Sequence, residues 1–469
     1  IEEYEATNAL LDSELPTQIQ FENCTVLLEN KNIFVNNKLK LQMLTAMLSL
    51  LLHGLTDQIL GSLVEYFLSY YKIDRFQVSI LFIAQFCGYV PSSLLNNYLM
   101  SKLGLHFLYS TACIFSLFSC ALYLFKAPYF ILPFAAAVLG WVNGVFDCCL
   151  NYFVGNLEYS NQLLGLMHSM YGTGCLITPV LSIYLIKRGM DWSHYYLIAV
   201  VLSFVNFLMV YFLFKDETSH KYNYTAYETR NQSQMESPID EVDGFKLENS
   251  NEPTIIETLT NKYVMFYCLV LFIYVGAELS VGIWLNNYLF RIKHLTEEFS
   301  SQMVSLFWLF MTLGRGVMGF YTGRYHENKE IKAVVVYCFL VALGCFFFWV
   351  FQSSVLIQGF SICFAAWFVG PLFGTTIIIS LKTLPKKYSL HGISLIAGLG
   401  GAGAAIIPGI MGWISEHLGS SKDQNGHSDG AGLYFFPELV FFTFSLAASL
   451  WFGFYIYNKE TFDKNVRLK

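Results

Sequence analysis

The chain has 469 residues, of which 55% are hydrophobic and only 13% charged, with a formal net charge of −6. Soluble globular proteins carry about 25% charged residues, so most of this chain is not built to meet water. With no basic patch interleaved with aromatics and no HExxH or comparable nucleophile constellation, nucleic-acid binding and enzymatic chemistry are both excluded as readings.

In chain order, residues 1–38 are polar and acidic (Glu2, Glu3, Glu5, Asp12, Glu14), unlike a signal peptide. They are expected to form a cytoplasmic tail, with the first apolar segment acting as insertion signal. A helix crosses the hydrocarbon core with about 20 mainly apolar residues. Span 1 is predicted over 40–62 and carries His53 and Asp57 at i, i+4. Span 2 (76–99) carries Gln85 and span 3 (104–125) no charge of note. Span 4 (128–156) carries Asn143, Asp147 and Asn151 at i, i+4, i+8, which places three polar side chains on one helical face. Span 5 (162–186) holds His168 and the run Gly172-Thr173-Gly174, and span 6 is 194–214.

The segment 215–261 is polar and holds Asp240, Glu241 and Asp243. It reads as a cytoplasmic linker between two six-helix halves, 39–214 and 262–457. Span 7 (262–289) brings Tyr274 and Glu278 at i, i+4, then Trp284. Span 8 (298–322) ends in the run Gly314 to Arg324, glycines followed by Arg at a cytoplasmic helix end, read as structural gating rather than solute contact. Spans 9 (332–351), 10 (355–380, with Trp367), 11 (389–413, with His391) and 12 (433–457) follow, and 458–469 is a second cytoplasmic tail.

Twelve spans put both termini on one side. Of the 28 Lys and Arg, 20 fall on that side, which makes it the cytoplasm. On that topology the sequons at Asn23, Asn223 and Asn231 are expected to stay unused. Most of the eleven cysteines lie in apolar runs, where Cys packs as a small hydrophobe. No disulfide, metal or other cofactor is expected.

The chain repeats itself. Gly172, Gly174, Ile177 and Pro179 in span 5 recur as Gly401, Gly403, Ile406 and Pro408 in span 11, at a constant offset of 229. These are the fifth spans of the two halves, and a parallel repeat of six-span halves is the layout of the major facilitator superfamily. The glycines are expected to pack helices closely. They mark register rather than chemistry.

An ionisable side chain inside a span is costly and therefore a functional candidate. Asp57, Asp147 and Glu278 lie on spans 1, 4 and 7, which line the central cavity in that superfamily. Reversible protonation of such acids would couple solute movement to protons.

Four segments resemble the fucose–proton symporter family of that superfamily, and within it the fungal members of bypass-of-stop-codon type. They are His53 to Leu60, Gly144 to Asn151, Leu166 to Gly174, and Tyr274 to Glu278. The resemblance implies an all-α membrane protein of twelve helices, its two halves related by a pseudo-two-fold axis. It implies that Asp57 and Asp147 are the two cavity acids, with Asn151 on the same face. Asp147 stands where the family typically has Glu, and Glu278 where it typically has a neutral polar residue.

The expected function is proton-coupled symport of a small polar solute such as a monosaccharide. The proton residues are expected to be Asp57, Asp147 and Glu278. The solute residues are expected to be His53, Gln85, Asn143, Asn151, His168, Tyr274, Trp284 and Trp367. The partners are solute, protons and the bilayer of a plasma or vacuolar membrane, with the chain a monomer. The alternatives are a proton antiporter that exports small organic molecules, and a solute-sensing transceptor with little flux.

Overall fold

The computed structural model describes residues 17–21, 24–235, 255–326, 329–384, 386–418 and 431–460. Asp240, Glu241, Asp243, the Asn23 sequon and the side chain of His391 lie outside what is described.

Among the described residues, twelve helices are long and apolar enough to cross a membrane. Spans 1 to 6 are Asn37–Ser62, Arg75–Leu103, Leu105–Leu124, Tyr129–Gly155, Gln162–Lys187 and Trp192–Leu213. Spans 7 to 12 are Lys262–Ile292, Glu297–Tyr325, Glu330–Val350, Val355–Thr383, Leu395–His417 and Ala431–Tyr457. Most boundaries match the sequence expectation to within a helical turn.

Local chemistry sets several starts. Asn36 caps span 1 by accepting from Leu39 N, and Asp74 and Gln77 form a capping box at span 2. Asn261 caps span 7 and Thr296 caps span 8. Each cap satisfies backbone donors that the helix cannot. Span 10 breaks at Gly370-Pro371 into helices Val355–Val369 and Leu372–Thr383, which follows from a proline that cannot continue the ladder.

The repeat glycines hold equivalent crossings in the two halves. A Cβ on Gly174 would lie 2.4 Å from Leu51 O of span 1, and one on Gly403 would lie 1.8 Å from Phe272 O of span 7. Spans 1 and 7 are the first helices of their halves. The earlier glycines cross between halves. A Cβ on Gly172 would meet Thr312 Oγ1 of span 8 at 2.2 Å, and one on Gly401 would meet the Tyr89 ring of span 2 at 3.0 Å. The offset in the sequence is therefore the pseudo-two-fold axis written along the chain.

Gly403→Ala is expected to cost about 3 kcal/mol, the upper end for overpacking, because its neighbour is backbone and cannot move aside. Gly165 has nothing within 4 Å. Gly165→Ala should be neutral or gain up to about 1 kcal/mol from the helix-interior preference for Ala. Unfolding in mixed detergent micelles measures both.

The sequence suggested no element in the tail or linker, yet the tail carries a hairpin and the linker two helices, Ser219–Met235 and Ile255–Thr260. Strands β1 (Thr17–Phe21) and β2 (Cys24–Leu28) pair antiparallel, with Phe21 opposite Cys24. The hairpin rests on a linker helix, Ser219–Met235. Phe21 packs edge-on to Tyr224 at 5.4 Å, and Lys38 at the start of span 1 bonds Glu29 and Asp216, each at 2.6 Å. These contacts mark one end of the bundle as the linker face.

Candidate functional site

A cavity of roughly 160 Å³ lies between the halves. Its first-half wall carries most of the polar groups (His53, Asp57, Gln85, Tyr89, Asn143, Asp147, Asn151, His168 and Tyr171), beside Leu50, Phe82 and Phe86. Its second-half wall is mostly apolar (Val275, Leu279, Ile283, Phe373, Ala397, Gly401, Ala404, Ala405), with Glu278 and Arg315 as the charged exceptions.

The i, i+4 spacing on span 1 stacks His53 and Asp57 one turn apart, with Nε2 3.1 Å from Asp57 Oδ2. The other ring nitrogen of His53 lies 3.5 Å from Asp147 Oδ1 on span 4. That is an ion-pair distance without hydrogen-bond geometry. One imidazole, with its side chain 7% exposed, therefore sits between two carboxylates.

Asp57 is heavily supplied with donors. Its Oδ1 accepts from Gln85 Nε2 at 2.6 Å and Asn143 Nδ2 at 2.8 Å, and its Oδ2 from the Tyr171 hydroxyl at 3.3 Å. Asp147 accepts from the Tyr89 hydroxyl at 3.0 Å, and its side chain is 23% exposed to the cavity. One turn nearer the linker face, His168 Nε2 meets Asn151 Oδ1 at 2.9 Å.

In the other half Glu278 faces Arg315 of span 8, with Nη2 to Oε1 at 3.4 Å. Arg315 Nε also donates to the carbonyl of Gly370 at 3.3 Å, so the break in span 10 supplies an acceptor that orients the guanidinium.

Three expected solute residues lie elsewhere. Trp284 is fully buried and donates its indole N–H to Pro408 O at 2.9 Å. Six residues on from Glu278, it lies about 120° off the cavity stripe at 3.6 residues per turn. Tyr274 turns to Val369 O at 3.4 Å, and Trp367 is half-buried beside Phe310. Glu278 does reach the cavity, where it faces Arg315. Of the run Gly314 to Arg324 expected to serve gating alone, Arg315 lies within the helix Glu297–Tyr325 and lines the cavity. Tyr89, Tyr171 and Arg315 were missed as site residues. For Arg315 the signal was present, as an intramembrane cation in a predicted span.

Polar links between the halves cluster on the face away from the linker. Tyr66 donates to Glu297 at 3.2 Å, Arg75 N to Glu416 at 2.9 Å, and Arg291 bonds Glu65. Ser301 and Ser305 donate to Pro179 O and Leu176 O, each at 2.8 Å. Burial alone would raise the Glu65 carboxyl. The Arg291 hydrogen bond and the Arg75 charge outweigh burial and hold it below its ordinary value. The cavity is thus shut on the far face and extends toward the linker face past Leu50, Asn151 and His168.

Two six-helix halves around a cavity that lies between them and carries charged and amide side chains define a multi-pass membrane transporter. The profile of the Major Facilitator Superfamily matches residues 46–408, and the chain belongs to that superfamily. It is 32% identical over 393 residues to Bypass of stop codon protein 6 of Saccharomyces cerevisiae, covering 81% of this chain and 78% of that protein. It is 23% identical over 355 residues to the glucose/mannose transporter GlcP of Bacillus subtilis, covering 75% and 82% respectively. Among solved structures, the E. coli fucose:proton symporter FucP aligns with a TM-score of 0.56 at 17% identity, over 88% of this chain and 98% of that one. A D-xylose–proton symporter aligns with a TM-score of 0.65 at 10% identity, over 88% and 97%. These two structural likenesses speak to the fold alone.

Proposed function

We propose that the protein is a proton-coupled symporter of a monosaccharide-sized polar solute, working by alternating access. The observation that carries this reading is His53 held between Asp57 and Asp147 on the cavity wall. A protonated imidazole can donate toward both carboxylates, a neutral one toward only one. Asp57 already receives several donors. Asp147, with one hydroxyl donor and an open side to the cavity, is the carboxylate best placed to take the transported proton.

The cavity suits a small polyol. At about 10–15 Å³ of probe space per water it holds roughly ten to fifteen waters, comparable with the heavy atoms of a hexose. Amides and carboxylates line one wall for hydroxyls, and aliphatic side chains line the other for C–H faces. That spacing favours a small polar solute over a bulky exported drug. Across 100 mV one proton yields about 2.3 kcal/mol, and one pH unit adds about 1.4 kcal/mol. Together they support several-hundred-fold accumulation at one proton per solute. The Lys and Arg bias places the linker face in the cytoplasm, and one chain completes the cavity, consistent with a monomer.

The test is uptake by proteoliposomes across a panel of hexoses, pentoses and their deoxy analogues, under an imposed pH gradient of either sign. Symport predicts accumulation on the side proton flow leads to, accompanied by alkalinisation of the acidic compartment. Solute driven against the proton flow would establish an antiporter, and saturable binding without flux a transceptor.

A further inference from the structure

Asp57 and Gln58 are neighbours on span 1 but serve different surfaces. Asp57 lies on the cavity wall. Gln58 points across the interface between the halves and is 1% exposed. Both ends of its carboxamide are engaged by the other half. Nε2 donates to Gly282 O of span 7 at 2.6 Å, and Oε1 accepts from the Trp308 indole of span 8 at 3.0 Å. Gly282 is part of the cradle, because a Cβ there would lie 2.7 Å from the Trp308 ring and 3.0 Å from Gln58 Oε1. One turn farther along span 1, a Cβ on Gly61 would come within 2.8 Å of Ile283 Cα. Spans 1 and 7 therefore approach backbone to backbone around this one amide.

We propose that Gln58 is the latch that holds the far face closed and sets the position of Asp57 in the closed state. This rests on the alternating-access reading above, and on neither the solute nor the proton. Opening the far face must separate span 1 from spans 7 and 8 at this level, so Gln58 loses both partners in one step. The Arg291–Glu65 pair nearer the surface is partly exposed and screened by solvent. The Gln58 bonds are buried, and each shifts the closed–open equilibrium about fivefold, as for a typical net hydrogen bond. Because Asp57 follows on the same rigid turn, the placement of span 1 that satisfies Gln58 is also the one that brings Asp57 to Gln85 and Asn143. Releasing the latch and reshaping the proton site are one movement.

Hydrogen-exchange mass spectrometry on the full chain in nanodiscs tests this with two variants. Trp308→Phe removes one bond and keeps an aromatic ring. Gln58→Leu removes both. The latch predicts redistribution. Amides in segments 63–76 and 290–300 exchange faster, about fivefold for Trp308→Phe and about twenty-five-fold for Gln58→Leu. Amides at the linker-face ends of spans 2 and 11 exchange more slowly. An unchanged pattern overturns the proposal. So does uniform acceleration, which marks Gln58 as merely stabilising. Arg291→Glu separates the two readings. If it redistributes protection while Gln58→Leu does not, alternation stands and the latch falls. If no variant redistributes protection, alternation itself falls.

Discussion

In proteoliposomes with an inward proton gradient, Asp147→Asn is expected to reduce solute accumulation from several-hundred-fold to equilibration, while solute exchange without a gradient continues. The asparagine keeps the volume and can still accept from the Tyr89 hydroxyl, which lies 3.0 Å from the native carboxylate. It cannot carry a proton, and it removes one of the two negative charges that flank His53. Binding geometry survives and coupling does not, so exchange of labelled for unlabelled solute is the readout that separates lost coupling from lost folding. Asp57→Asn should be more disruptive. Two amides, Gln85 and Asn143, aim donors at one oxygen, and Tyr171 and His53 approach the other. An amide at position 57 must turn its own N–H₂ either toward the two amide donors, which clash with it, or toward Tyr171 and His53, which must then switch from donating to accepting. Accumulation by Asp147→Asn equal to wild type would remove this residue from the coupling path.

The fold was legible because lipid imposes a simple rule. Each apolar run long enough to cross satisfies its own backbone as a helix. The acids were legible for a related reason: a carboxylate among Val, Phe and Leu needs a purpose. The spacing of Asn143 and Asp147 placed both on one face, and that face is the cavity wall. The tyrosines were not legible. Tyr89 and Tyr171 are two of 30 tyrosines in a chain with 43 phenylalanines, and only the three-dimensional meeting of spans 1, 2, 4 and 5 separates a cavity-facing hydroxyl from a belt residue. Trp284 failed in the opposite sense, since a large aromatic near Glu278 in sequence lies on another side of the helix. The hairpin was hidden because five-residue strands inside a polar tail give too short an alternation to stand out. Arg315 was not separated from the run ending at Arg324, because glycines followed by Arg suggested a gating motif at the cytoplasmic end of the span, whereas in lipid small residues also let a helix cross its neighbour closely.

The second large effect concerns that arginine. Arg315→Met is expected to destabilise the protein by about 3–5 kcal/mol, the usual result of leaving one member of a buried ion pair without its partner. The Glu278 side chain is only 5% exposed and would face the cavity as an uncompensated charge. Glu278→Gln should cost less, because the guanidinium keeps its bond to Gly370 O and can still donate to the new amide oxygen. The double variant Arg315→Met/Glu278→Met should recover most of the loss, since hydrophobic replacement of a whole buried pair is often neutral. Such a cycle, read by unfolding in mixed micelles, isolates the pair term from the packing of each side chain. The same proteins decide what Glu278 does in transport. If Arg315 permanently offsets its charge, Glu278→Gln retains gradient-driven accumulation that Asp147→Asn loses. If Glu278→Gln instead equilibrates solute as Asp147→Asn does, this acid takes part in proton movement and the pair with Arg315 must break during the cycle. The distinction is physical: an ion pair that persists holds spans 7 and 8 together, and one that breaks is part of the machine.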